Sequence, residues 1–166
     1  MEKEFENSNM DAQIDRIKRK LQEVERDFKE DDLEFESFPP VSAETVREVE
    51  KKYGFTFPLE LFRFYTEIAN GCPIFDGDIK KFEDLEIDPE NIVRNFAFEE
   101  DWLWEGAAEG DYPLYESDPE TYCADYGNIE LSDQGCEGIW FIVVTGNQRG
   151  NIWHCGDTAM WKCPPP

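Results

Sequence analysis

The chain has 166 residues, 40% hydrophobic and 14% aromatic, a length that fits one domain of ordinary size with an appended element. Its 39 acidic residues against 16 Lys and Arg give a formal net charge of −23. That balance argues against direct binding of nucleic acid or anionic membranes, and the 13 Phe and 5 Trp argue against disorder.

Met10, Ile14, Ile17, Leu21, Val24 and Phe28 recur at steps of four and three, the apolar seam of an amphipathic helix. The segment is too short for an independent coiled coil, so the seam is expected to dock on the main domain or on a second copy, giving a homodimer. Pro39-Pro40 forbids helix and marks the end of a linker. The expected organisation is an N-terminal helix and linker over 1–38 and an α+β domain over 39–166.

Ser42 caps a second helix with the apolar stripe Val46, Val49 and Tyr53, and Gly54 ends it. Pro58 suits the first residue of a third helix carrying Leu61, Phe62, Phe64, Tyr65, Ile68 and Ala69, which Asn70-Gly71 stops. Phe75 to Asp88 reads as irregular with one short strand, and Pro89 as the start of a helix through Ile92, Val93 and Phe96. The later chain changes character. Ile129 to Leu131, Ile139 to Thr145 and Asn151 to His154 have the β-branched and aromatic content of strands, with Gly135, Gly138, Gly146 and Gly150 at the turns. Helices first and strands later predict an α+β fold, an antiparallel or mixed sheet packed with helices.

The charge is uneven. Met1 to Phe38 holds 13 acidic and 7 basic residues, a balance of −6, whereas Asn95 to Gln148 holds 13 acidic residues and no Lys or Arg. Phe98, Trp102, Trp104, Tyr112, Tyr115, Tyr122 and Tyr126 are threaded through that acidic stretch. Carboxylates mixed with Trp and Tyr suit an interface for a basic partner: the rings anchor in pockets while the carboxylates steer approach and pair with Arg or Lys. The plainer alternative makes the rings core and the charge a guard against aggregation.

Two stretches together resemble the SUKH superfamily, the Smi/Knr-type domains. The first runs from Val41 to Pro73: a helix ending Glu50-Lys51-Lys52-Tyr53-Gly54, then Phe57-Pro58-Leu59-Glu60-Leu61, then Asn70-Gly71. The second is Tyr126-Gly127-Asn128-Ile129, Asp133-Gln134-Gly135-Cys136, the apolar run Ile139 to Gly146, and Gly150-Asn151-Ile152-Trp153. The resemblance covers roughly Val41 to Pro164 and leaves out the helix from Met10 to Phe28. It implies a single α+β domain that binds protein partners. Bacterial members commonly serve as immunity proteins against polymorphic toxins, often nucleases, and fungal members act in signalling and cell-wall regulation. The resemblance supplies no catalytic residue and no cofactor, and the partner surface varies among members, so no interface residue carries over.

A basic nuclease toxin is a partner that an acidic inhibitor can engage by imitating its substrate. The candidate toxin-binding residues are Glu99, Glu100, Asp101, Trp102, Trp104, Glu105, Asp111, Tyr112, Tyr115, Glu116 and Asp118. For Trp102 and Trp104, core and interface stand as equal alternatives. The competing reading is a regulatory or scaffolding interaction module in which the Met10–Phe28 helix recruits the partner.

Catalysis and metal binding find little support. His154 and Cys155 are adjacent, so on a strand they point to opposite faces. Cys136, His154, Cys155 and Cys163 lack the paired short spacings of a zinc site. Asp76-Gly77-Asp78 lacks the further ligands of a calcium loop, and close carboxylates such as Glu99 and Asp101 are expected by composition alone. Gly146 to Gly150 reads as a hairpin turn rather than a phosphate loop. The acidic N-terminus has no apolar signal core and no apolar run approaches ~20 residues. The expectation is a cytoplasmic, non-enzymatic protein whose five cysteines are reduced thiols.

Overall fold

The computed structural model describes residues 2–31, 35, 37–74, 77–103, 123–156 and 159–164. Three helices lead, α1 (Glu2–Glu30), α2 (Ala43–Tyr53) and α3 (Leu59–Arg63), the last running directly into a π-helical turn over Phe64–Ile68. A hairpin follows, β1 (Cys72–Ile74) and β2 (Gly77–Ile79), with a 3-10 turn over Phe82–Asp84. The main sheet comprises β3 (Trp102–Leu103), β4 (Asn128–Asp133), β5 (Ile139–Val143), β6 (Ile152–Cys155) and β7 (Ala159–Lys162). Its order is β3-β7-β6-β5-β4 and every pairing is antiparallel, so the α+β expectation holds.

The helix ends follow the sequence signals. The Ser42 hydroxyl accepts from the Thr45 N–H at 3.1 Å, and Gly54 adopts φ 74° to end α2. Pro58 falls at the cap of α3 rather than inside it, with φ −51° and ψ 145°. Between the two helices lies Glu50, 5% exposed. One of its oxygens accepts from the buried Phe57 N–H at 2.8 Å and the other pairs with Arg47 at 2.6 Å. The Arg149 guanidinium ties the same turn to the sheet, donating to the carbonyls of Thr56, Phe57 and Val144.

Apolar side chains fill both faces of the sheet. On one face Ile129, Leu131, Ile142 and Val144 pack with Val46, Leu61, Tyr65 and Phe82 of the helical layer. On the other, Phe141, Val143, Trp153 and Met160 pack with Phe96 and Phe98. Period-2 alternation along β5 therefore serves two cores at once. At Gly127, φ is 64° and an added Cβ would stand 2.5 Å from the Arg94 carbonyl oxygen and 2.7 Å from that of Thr145, so only glycine fits this crossing.

Helix α1 docks through Ile14, which is buried with Ile68 and Ala69, with Met10 and Leu21 alongside. Asp11 of α1 pairs with Arg63 at 2.7 Å. Part of the seam stays open: Ile17, Val24 and Phe28 are exposed.

The reading of Pro89 needs correction, and strands formed that were not anticipated. Pro89 starts no helix; 89–94 are turns. A helix would have Phe96 N–H on the Ile92 carbonyl, but Thr145 takes both partners: its carbonyl accepts from Phe96 N–H at 3.0 Å and its hydroxyl donates to the Ile92 carbonyl at 2.9 Å. The stretch from 75 to 88 holds the one short strand expected of it, β2; its partner β1 precedes that stretch and was not anticipated. Strand β7 was not anticipated, and its residues Met160 and Trp161 lie on opposite faces of the sheet.

Glu50→Ala leaves the buried Phe57 N–H without an acceptor and should cost about 2–3 kcal/mol in urea unfolding. Glu50→Gln keeps an acceptor oxygen and should cost distinctly less. The exposed Arg47 partner contributes little to either value.

Candidate partner-binding surface

Two surfaces bear on binding. The first is the start of the acidic stretch, where the fold engages most of the described candidates. Glu99 accepts from Asn147 Nδ2 at 2.9 Å and from Gln148 Nε2 at 3.0 Å, which fixes it across the β5–β6 turn. Those hydrogen bonds hold its carboxyl below the usual carboxylate range. Asp101 Oδ1 accepts from the Lys162 N–H at 2.9 Å. Trp102 sits in β3 opposite Met160, half-buried, its ring edge-on to Phe98 at 5.7 Å. Glu100 is exposed. Trp104, Glu105, Asp111, Tyr112, Tyr115, Glu116 and Asp118 lie outside the described residues.

The second surface is a row across the sheet that the sequence did not single out as an interface. The register sets Ser132 beside Trp140, Trp140 beside His154, and His154 beside Trp161. Trp140 meets His154 edge-on at 4.9 Å, and His154 stacks on Trp161 at 4.3 Å and 30°. The Trp140 indole N–H donates to Gln134 Oε1 at 2.6 Å. This is the same face that β4 and β5 turn toward the helices, but toward β7 the face opens. Trp161 and Ile152 are each 39% exposed, and Leu59, at the start of α3, is 47% exposed.

His154 itself is 4% exposed. Burial holds its pKa below the ordinary value, against the opposing effect of the Glu137 backbone and charge. Its Nδ1 and the Ser132 hydroxyl are buried with no hydrogen-bond partner among the described residues. Gly138 permits the close approach: its φ is 111°, and a Cβ there would stand 2.9 Å from His154 Cε1.

The neighbouring Cys155 faces the opposite core, where burial pushes its thiol up, the reverse of what a nucleophile needs. Among the described residues no three or more His, Cys, Asp or Glu converge on a common metal position, and the Asp76/Asp78 pair falls partly outside those residues. No helix among the described residues is long and apolar enough to cross a membrane. The family model of the SMI1/KNR4 family (SUKH-1) matches residues 40–162, which takes in α2, α3, the hairpin and the whole main sheet. The chain belongs to that family. No curated protein and no solved structure matches it significantly. In this SUKH-1 domain the resemblance read from Val41 to Pro164 is thus matched almost end to end, and α1 lies outside the match.

The aromatic row escaped the sequence reading for a definite reason. Trp161 belongs to a strand whose four residues, Ala159 to Lys162, carry no β-branched side chain. The one available signal was Trp140, which alternates with Phe141 in an evident strand.

Because the folded-state pKa of His154 lies below its ordinary 6.5, the unfolded chain takes up the proton first. The stability this group contributes is present above about pH 6.5 and is lost as the pH falls from there through the folded value. Urea unfolding at about pH 7.5 and about pH 5.5 should therefore show the wild type losing stability relative to His154→Phe, which has no group to titrate there.

Proposed function

We propose that this SUKH-1 protein is an immunity protein that binds and neutralises a basic, nuclease-type toxin, acting by occupancy and without chemistry. The observation that carries this reading is the charge: −23 overall, with 13 acidic residues and no Lys or Arg between Asn95 and Gln148, in a family whose bacterial members commonly serve in immunity. A basic cleft built for phosphate is complementary to such a surface, and the field accelerates encounter. Glu99, Glu100, Asp101, Trp102, Trp104, Glu105, Asp111, Tyr112, Tyr115, Glu116 and Asp118 are the residues proposed for that contact. Within the described part, Glu100 has its carboxylate in solvent, while Glu99 and Asp101 also hold the local fold. His154 and Cys155 point to opposite faces of the sheet, which supports a non-enzymatic role.

A second reading follows from α1. Its exposed Ile17, Val24 and Phe28 form an apolar stripe outside the family match and suit a homodimer or a recruited regulator.

Pull-down of the full chain from its source cell at low and high salt tests the first reading. A stoichiometric basic protein with a toxin-like domain should be recovered at low salt and weakened about tenfold or more at high salt. Glu100→Lys should slow its association without altering the fold. A salt-indifferent complex that is lost on replacing Ile17, Val24 and Phe28 by Ser would shift the assignment to the regulatory module.

A further inference from the structure

The exposed end of the aromatic row has a chemistry of its own. One face of the Trp161 ring is covered by His154 at 4.3 Å, and the residue is nevertheless 39% exposed. An exposed indole attracts a cation, and a planar guanidinium more than a compact ammonium, because it stacks as well as carrying charge. The row is also bordered by carboxylates. The turn 133–138 brings exposed Asp133 and Glu137 to its β4–β5 end, where Glu137 interacts with the His154 ring. Farther along, before the start of β6, the Glu60 carboxylate and the Pro58 ring lie beside Gly150, two residues before exposed Ile152.

Competing cations are engaged elsewhere. Arg149 is held by Thr56, Phe57 and Val144, and the Lys162 ammonium donates to Gln148 at 3.0 Å. Two polar atoms of the same row, Ser132 Oγ and His154 Nδ1, are buried without partners among the described residues, as is Trp153 Nε1 in the opposite core. At this surface a second copy of the chain would bring the same carboxylates to the rim, whereas a basic partner neutralises them.

We propose that the Trp140–His154–Trp161 row is a contact surface for an arginine presented by the basic partner, with Trp161 as the stacking platform and exposed Glu137, beside His154, adding negative charge to the site. The assignment rests on the immunity reading for the identity of the partner and adds a position on the fold. The open apolar flank, Ile152 and Leu59, accepts the surrounding contact area, and the carboxylates select a basic surface over other apolar ones.

The test is a titration of the full chain with nona-arginine and with nona-lysine, following the indole N–H signals of Trp140 and Trp161 by NMR. The Trp161 signal should move most, and nona-arginine should bind about two- to fivefold tighter than nona-lysine. That preference should vanish in Trp161→Leu, which keeps apolar cover over His154, and weaken in Glu137→Gln at an exposed site. Unchanged dispersion of the remaining signals establishes that both variants are folded. Equal affinity for the two peptides, shifts confined to residues 95–101, or an arginine preference that survives Trp161→Leu overturns the proposal. The titration uses no toxin, so this surface fails on it alone, whereas the immunity reading fails separately on the salt-dependent pull-down.

Discussion

The fold depends on a sheet that is apolar on both faces. Along β5 and just beyond it, Phe141 and Val143 enter one core while Ile142 and Val144 enter the other. The helical layer has α1 on its far side, but its larger core lies against the sheet, as does the segment around Phe96 and Phe98. Each is stable only because the same strands are dry on its side. Fully burying one such side chain contributes about 1.5–3 kcal/mol, so β5 alone outweighs any single polar contact described here. The polar contacts specify instead. Glu50 and Arg149 set the turn between α2 and α3 and hold it against the sheet, and Thr145 decides that the chain after Pro89 turns and does not form a helix.

Much of this was legible because the signals are local. Ser42, Gly54 and Asn70-Gly71 act on their own backbone, so the helix boundaries could be read from residue type. The run Ile139 to Thr145 shows its strand character through β-branched content alone. What could not be read depends on partners distant in sequence. Residues 89–96 have an acceptable helical pattern, and only the approach of Thr145 cancels it. Strand β7 has weak intrinsic preference and forms because β6 offers it an edge.

The candidate surface divides in the same way. Composition pointed to the acidic stretch, but sequence does not separate its partner-facing residues from its fold-bearing ones: Glu99 and Asp101 brace the sheet. Trp102 packs on Phe98 at the sheet edge. The Trp140–His154–Trp161 row joins three strands, and no window of sequence contains it. His154 drew attention as a possible catalyst; its surroundings make it the buried centre of an aromatic stack.

Strand β7 divides its labour residue by residue: Met160 is sealed in the core while Trp161 looks outward. An exchange at the outward position changes what the surface offers and leaves the interior volume untouched. A lineage under pressure to meet a succession of new partners can therefore vary one register of such a strand while the other keeps the chain folded. The pleat of the sheet makes these two demands separately heritable.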